Sequence, residues 1–288
     1  MKRLFLSLAV CACMGLGAYE KPILEGYWES WNYRDSIETI ASMPSDVIAI
    51  SFGTFQPMGE HTFVVVGVEA TKERIEEMVE LAQARGKKVK LSIGGANYGQ
   101  SGLLFTREDA VGMADALARY VVEFGLDGVD LDIEDYPAVD LQVELIKRTR
   151  EALGPDALLT YTPKAPAATT LPYCEVIAKS HEYLDGVHIM AYDAWEGYSY
   201  QEDSESLSLL GVPREKIVIG LMPGMDDIGG YTSLEDIQDA VNWVKARGLG
   251  GIMLWDLNRD HANLTGLGEG AASTVAWEGL QSARTPRS

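Results

Sequence analysis

Short runs of apolar and β-branched residues recur along the chain, at Ile23–Trp28, Asp46–Phe52, Lys88–Ile93, Asp127–Glu134, Leu158–Thr162, Asp185–Tyr192, Lys216–Leu221 and Gly250–Leu257. Each has the length and residue type of a β-strand. Most intervals between them carry helical periodicity instead. Ile75, Met78, Val79 and Ala82 follow i, i+3, i+4, i+7 spacing, and Gly86 stands where a C-terminal cap belongs. Ile237, Ala240, Val241 and Val244 repeat the pattern between a start signal at Ser233 and Asp236 and a stop at Gly248. Thr106 and Asp109 open a third helix, over Ala110–Phe124, and Val139–Leu153 reads as a fourth. The first and sixth intervals give the faintest periodicity. Strands alternating with helices in this way predict an α/β fold, a (β/α)8 TIM barrel, for which 288 residues is an ordinary length. A doubly wound open sheet is the rival; it would more often carry a glycine-rich phosphate loop after its first strand, and none is present.

The fourth run departs from a simple buried strand. In Asp127-Gly-Val-Asp-Leu-Asp-Ile-Glu134, apolar residues at Val129, Leu131 and Ile133 alternate with acids at Asp130, Asp132 and Glu134. Side chains on a strand point alternately to opposite faces, so the three acids share one face. On an edge strand that face is simply solvated. Between two helices the strand is instead central in a parallel sheet and the acids face an interior, where each must be protonated, paired or hydrogen-bonded. Such a row is a candidate for general acid–base chemistry.

Composition and charge narrow the partners. The chain is 47% apolar, enough for a large core, and shows neither an internal repeat nor a linker, so one domain is expected. Its formal net charge of −19 repels phosphate backbones and argues against nucleic acid. The four histidines, His61, His181, His188 and His261, lack metal-ligand spacing. Met1-Lys2-Arg3, the apolar Leu4–Met14 and the small residues Gly15–Ala18 read as a secretory signal peptide cut near Ala18, too short to span a membrane. Secretion or delivery to a periplasm follows, with lipid attachment at Cys13 as the alternative. With Cys11 and Cys13 in the leader, Cys174 remains alone in the mature chain, so no internal disulfide is expected.

The acidic octapeptide resembles the DGxDxDxE signature of glycoside hydrolase family 18, which includes chitinases and endo-β-N-acetylglucosaminidases. Further segments match in order: Lys90-Leu-Ser92-Ile-Gly94-Gly95 is similar to the family's third-strand SxGG, Met190-Ala-Tyr192-Asp193 to its sixth-strand MxYD, and Gly251-Ile-Met-Leu-Trp255 to its eighth strand. Gly26-Tyr27-Trp28 suits its first. The likeness covers nearly all of the chain expected after the leader and implies the same barrel. Two features depart from it: Asp135 separates Glu134 from Tyr136-Pro137, and Leu221–Ser233 is too short for the α+β insertion found in some members, so an open, shallow cleft is implied.

The resemblance implies a retaining, substrate-assisted reaction in which the sugar's 2-acetamido carbonyl attacks the anomeric carbon. Glu134 would be the general acid and then base, and Asp132 would hold the acetamido N–H. Asp130, deeper, would share a proton with Asp132, and Tyr192 would orient the acetamido oxygen. Asp193, Met190, Trp255 and Trp28 would contact sugar, with Tyr98 and Trp195 at outer subsites. Ser92, Gly94, Gly95, Trp243 and Trp277 read as packing residues, and Asp127 as structural. The expected protein is a monomeric endo-chitinase needing neither cofactor nor metal, acting on chitin or GlcNAc-containing oligosaccharides. The alternatives are an endo-β-N-acetylglucosaminidase acting on N-glycan cores, or a chitin-binding lectin on an inactive barrel; the presence of Glu134 argues against the last.

Overall fold

Helix-capping chemistry divides the chain where the periodicity places its boundaries. In a computed structural model that describes residues 21–67, 69–100 and 102–284, Thr106 and Asp109 form a reciprocal capping box, as do Ser233 and Asp236. Gly125 and Gly248 end those helices in the left-handed conformation that glycine adopts without steric cost. The elements in chain order are β1 (Ile23–Glu29), α1 (Ile37–Ser42), β2 (Val47–Gly59), β3 (Thr62–Gly67), α2 (Lys72–Gln83), β4 (Lys88–Gly94), α3 (Arg107–Phe124), β5 (Gly128–Asp132), α4 (Val139–Leu153), β6 (Leu158–Tyr161), α5 (Tyr173–Ser180), β7 (Gly186–Met190), α6 (Tyr200–Leu209), β8 (Ile217–Leu221), β9 (Gly224–Met225), β10 (Tyr231–Thr232), α7 (Leu234–Arg247), β11 (Gly251–Leu254), α8 (Leu257–His261) and α9 (Ala271–Arg284).

Parallel pairing runs β1–β2–β4–β5–β6–β7–β8–β11 and back to β1, which closes a single eight-stranded (β/α)8 barrel. β3 is the addition: β2 continues past Phe52 and turns back antiparallel to itself, laying a hairpin against α3. Gly112 of α3 permits that contact, since a Cβ there would lie 1.9 Å from the His61 carbonyl oxygen. The connection from β8 to α7 holds only the two-residue strands β9 and β10. It contains no inserted domain.

Several strands are shorter than expected, including β7, which ends at Met190 and leaves Tyr192 beyond it. β5 ends at Asp132, leaving Glu134 in the loop beyond, and β11 ends at Leu254, so that Leu257 begins α8 with Asp256 as its N-cap. The proposed leader, residues 1–18 with Cys11 and Cys13, lies outside the described residues. No helix among the described residues is long and apolar enough to cross a membrane.

The main core lies between barrel and helices and takes the outward residues of each strand, such as Leu24 and Trp28 of β1 and Val129 and Leu131 of β5. A second, smaller cluster fills the barrel itself, around Tyr27, Ala49, Phe52, Met190, Val218 and Met253. Strand alternation thus sorts Tyr27 inward and Trp28 outward.

Candidate active site

The barrel interior is built in tiers, and its lowest tier is ionic. Glu25, Lys90, Asp130 and His188 point inward from β1, β4, β5 and β7, and all four are fully buried. Lys90 Nζ lies 2.9 Å from Glu25 Oε2 and 3.8 Å from Asp130 Oδ1, and it donates to Thr160 Oγ1 at 2.6 Å. His188 Nδ1 stands 3.4 Å from Glu25 Oε1. A ring of hydroxyls surrounds Asp130: Thr160 and Thr162 donate to Oδ1 at 2.5 and 2.8 Å, while Tyr27 and Ser92 each donate to Oδ2 at 2.7 Å. Burial alone would raise the Asp130 pKa, but Lys90, His188 and these donors outweigh it and hold the carboxyl below its ordinary value. Asp130 is therefore a buried, fully hydrogen-bonded anion. Of the two carboxyls expected to share a proton, Asp130 is the one favoured as the anion, because hydroxyls donate to both of its oxygens.

Asp132, one pleat higher, meets the opposite surroundings. Its Oδ1 is buried without a hydrogen-bond partner. Burial first, and then the charges of Glu134 and Asp130, push its pKa well above the usual carboxylate range. Burial and the neighbouring carboxylates thus favour the protonated form of Asp132. Two glycines fix its height. The Asp132 carbonyl accepts from Gly95 N–H at 2.9 Å, and a Cβ on Gly94, whose φ is +112°, would lie 2.1 Å from that same oxygen.

Above the strand end the barrel opens into a cavity of about 690 Å³, lined by Asp132, Glu134, Tyr98, Met190, Tyr192, Asp193 and Trp255 among the expected residues. Glu134 makes an ion pair with Lys164, which follows β6, at 2.7 Å. Burial alone would lower the Lys164 pKa, but the Glu134 partner raises it. Burial and the nearby Asp132 and Glu134 raise the Tyr192 pKa well above normal, so its phenol stays a hydrogen-bond donor. Trp255, Phe52 and Trp31 form a run of stacked rings along one wall, with successive centroids 5.5 and 5.9 Å apart. Asp193, at φ +49°, fastens two loops together: its carboxylate accepts from Asp227 N–H at 2.7 Å, and its own N–H donates to Asp226 Oδ2 at 2.9 Å.

Other expected residues lie elsewhere. Trp28 belongs to the outer core beneath the Arg74 guanidinium, because its position on β1 points away from the barrel axis, so a sugar contact is corrected to a packing role. Trp195 is largely exposed beside Tyr198 and does not line the cavity. Asp130 supports the site from below without reaching the cavity. Ser92 is more than packing, since it donates to Asp130. Asp127 ties Lys88, Gln83 and the Val89 N–H together. Sequence reasoning missed Lys164, Trp31 and Phe52 in the cavity and the Glu25–Lys90–His188 group below it. Strand parity carries the signal for the last group. Glu25 precedes Tyr27 by two, Lys90 precedes Ser92 by two, and His188 precedes Met190 by two, which places a charge or an imidazole on each inward face.

Among the described residues, no set of three His, Cys, Asp or Glu side chains is arranged to hold a metal ion.

Comparison with known proteins agrees with the geometry. The chain is 22% identical over 298 residues to a chitinase from Enterococcus faecalis, covering 83% of this chain and 82% of that one. It is 22% identical over 309 residues to chitinase D from Niallia circulans, covering 82% of this chain but only 58% of the relative. Among solved structures, a chitinase from Pseudoalteromonas aurantia superposes with a TM-score of 0.73 at 23% identity, over 89% of this chain and 99% of that one. The sequence profile of the glycosyl hydrolases of family 18 matches residues 24–224. With Asp130, Asp132 and Glu134 at the centre of that span, the chain belongs to glycosyl hydrolase family 18.

Proposed function

We propose that the protein is an exported endo-chitinase that cleaves β-1,4 linkages between N-acetylglucosamine units with retention of configuration, using the substrate's own acetamido group as nucleophile. The observation that carries this reading is the state of Asp132. A carboxyl group whose protonated form is favoured is a poor nucleophile, and its buried, unpartnered oxygen beside the cavity is free to accept from an amide N–H. Glu134, two residues on, is a carboxylate while paired with Lys164; once substrate has displaced Lys164 it takes up a proton, delivers it to the leaving oxygen, and later takes one back from water. Tyr192 donates to the acetamido oxygen and orients its attack on the anomeric carbon. Asp130 keeps a fixed negative charge below, which stabilises the positive oxazolinium as it forms. Trp255 supplies an apolar face for a pyranose ring. The two similar proteins named as chitinases, from Enterococcus faecalis and Niallia circulans, support the substrate class.

The test is hydrolysis by the purified protein of chitin oligomers, a GlcNAc2-bearing glycopeptide, cellulose and fully deacetylated chitosan. Cleavage of the oligomers alone, with β-anomeric products, is expected. Preferential cleavage of the glycopeptide would assign an endo-β-N-acetylglucosaminidase instead. Attack on cellulose or deacetylated polymer would show that the acetamido group is not the nucleophile.

A further inference from the structure

The acids of the mouth account for bond cleavage, yet they rest on a buried charge group that no step uses. Lys90 and Glu25 are fully enclosed. Removing two ions from water is costly, and replacing such a pair by apolar residues is often neutral or stabilising. Stability alone is a weak reason for a lysine inside a barrel. Its geometry offers another. Lys90 Nζ reaches Asp130 both directly, at 3.8 Å, and through Thr160, which accepts from Lys90 and donates to Asp130 Oδ1 at 2.5 Å.

We propose that Lys90 and Glu25 are positioning residues of opposite sign that set which of Asp130 and Asp132 carries the proton: Lys90 keeps the negative charge on Asp130, and Glu25 limits that pull. The groups facing Asp130 are Glu25 and Tyr27 from β1, Lys90 and Ser92 from β4, Asp132 from β5 itself, Thr160 of β6 with Thr162 just beyond it, and His188 from β7. Among these, Lys90 is the ammonium, while Glu25 and Asp132 are the other carboxyls. With Asp130 ionised, its charge helps keep the proton on Asp132, where an acetamido group is met. Without Lys90, Asp130 takes up a proton more readily, and a doubly protonated pair has no charge with which to stabilise an oxazolinium.

This inference rests on the proposed reaction, and its test is chosen to separate the two. The acid limb of kcat/KM for chitin oligomers reports the second protonation of the pair. Lys90→Met removes the cation and should move that limb to higher pH by about one to three units. Glu25→Gln removes a like charge and should move it to lower pH. The double variant, which leaves no unpaired buried charge, should fall between the two singles. A merely structural role lowers turnover without displacing the limb and cannot shift the two single variants in opposite directions. Melting temperature against pH is followed in parallel, because Asp130 ionisation contributes to folding whether or not sugar is cleaved. The acid-side loss of stability should begin at higher pH in Lys90→Met and at lower pH in Glu25→Gln. If Lys90→Met does not fold, Glu25→Gln and the double variant still read both shifts. Coincident acid limbs, or shifts of the same sign, would overturn the proposal. If the wild-type protein cleaves no substrate, the proposed function fails, and opposite shifts in melting still uphold the coupling while coincident ones end it.

Discussion

Asp130 and Asp132 stand two residues apart on the inward face of β5, and both are shut away from bulk water. The lower one sits among hydroxyl donors with an ammonium 3.8 Å away and is held as an anion. The upper one has an oxygen with no donor and lies between two other carboxyls, which with its burial favours its protonated form. Residue type, strand and burial are the same for both, so none of them decides the charge. The difference comes from what neighbouring strands bring to each level: Tyr27, Ser92, Thr160 and Thr162 below, and the open cavity with Glu134 above.

The largest expected effect lies just above this pair. Glu134→Gln keeps the shape of the side chain and removes its proton, so hydrolysis of chitin oligomers should fall by about 10²- to 10⁴-fold while oligosaccharide binding, followed by calorimetry, persists. An undiminished rate would remove Glu134 from the mechanism and leave Asp132 to be reconsidered as the acid.

Next in size is a pair of variants that sets the two levels against each other. Asp130→Asn takes the anion from its hydroxyl ring and leaves Lys90 short of a counter-charge, which should cost about 3–5 kcal/mol in denaturant unfolding at neutral pH. Because the Asp130 pKa is lowered on folding, that stabilisation is present above the unfolded value and lost as pH falls through the folded one. Wild type and variant should therefore converge in acid. Asp132→Asn has the opposite sign. A raised pKa means the folded state holds a proton that the unfolded chain releases, a cost that grows as pH rises above the unfolded value toward the folded one. This variant should match wild type in acid and be the more stable near and above neutrality, although its turnover falls. Parallel stability curves for the two variants would erase the distinction between the levels.

The smallest expected effect concerns the wall of the cavity. Trp255→Ala should weaken oligosaccharide binding by about 1–3 kcal/mol through loss of a large apolar face. Unchanged affinity would make Trp255 a packing partner of Tyr27 and Phe52 only.

Much of this arrangement was legible in the chain. Barrel strands and capped helices follow from periodicity and cap residues, since local rules specify them: Thr106 with Asp109 and Ser233 with Asp236 do in the fold what their spacing says. Asp132 and Glu134 were found by alternation, and Tyr192 by resemblance. Phe63-Val-Val-Val66 carried a β-branched signal for β3, but its pairing depends on a turn that sends β2 back on itself. The charge states were not legible, because they depend on side chains from five strands meeting inside a closed barrel. Trp28 misled for a simpler reason: a tryptophan beside an inward tyrosine must point outward. Lys164 lies in Thr-Pro-Lys-Ala-Pro, a stretch with no period, and only its distance from Glu134 reveals it.

The two glycines at the end of β4 have a bearing on inheritance as well as on shape. Gly94 has no side chain, yet any substituent there would meet the Asp132 carbonyl oxygen, and a Cβ on Gly95 would lie 2.7 Å from the Phe52 ring. Both also hold positive φ, which other residues rarely adopt. In a saturation library scored for enzyme function, these positions would read as intolerant as Glu134, though neither donates a proton nor carries a charge. Such a map would mark Gly94 as an active-site residue by its phenotype alone, when its contribution is the empty space that lets a neighbouring strand set the level of Asp132.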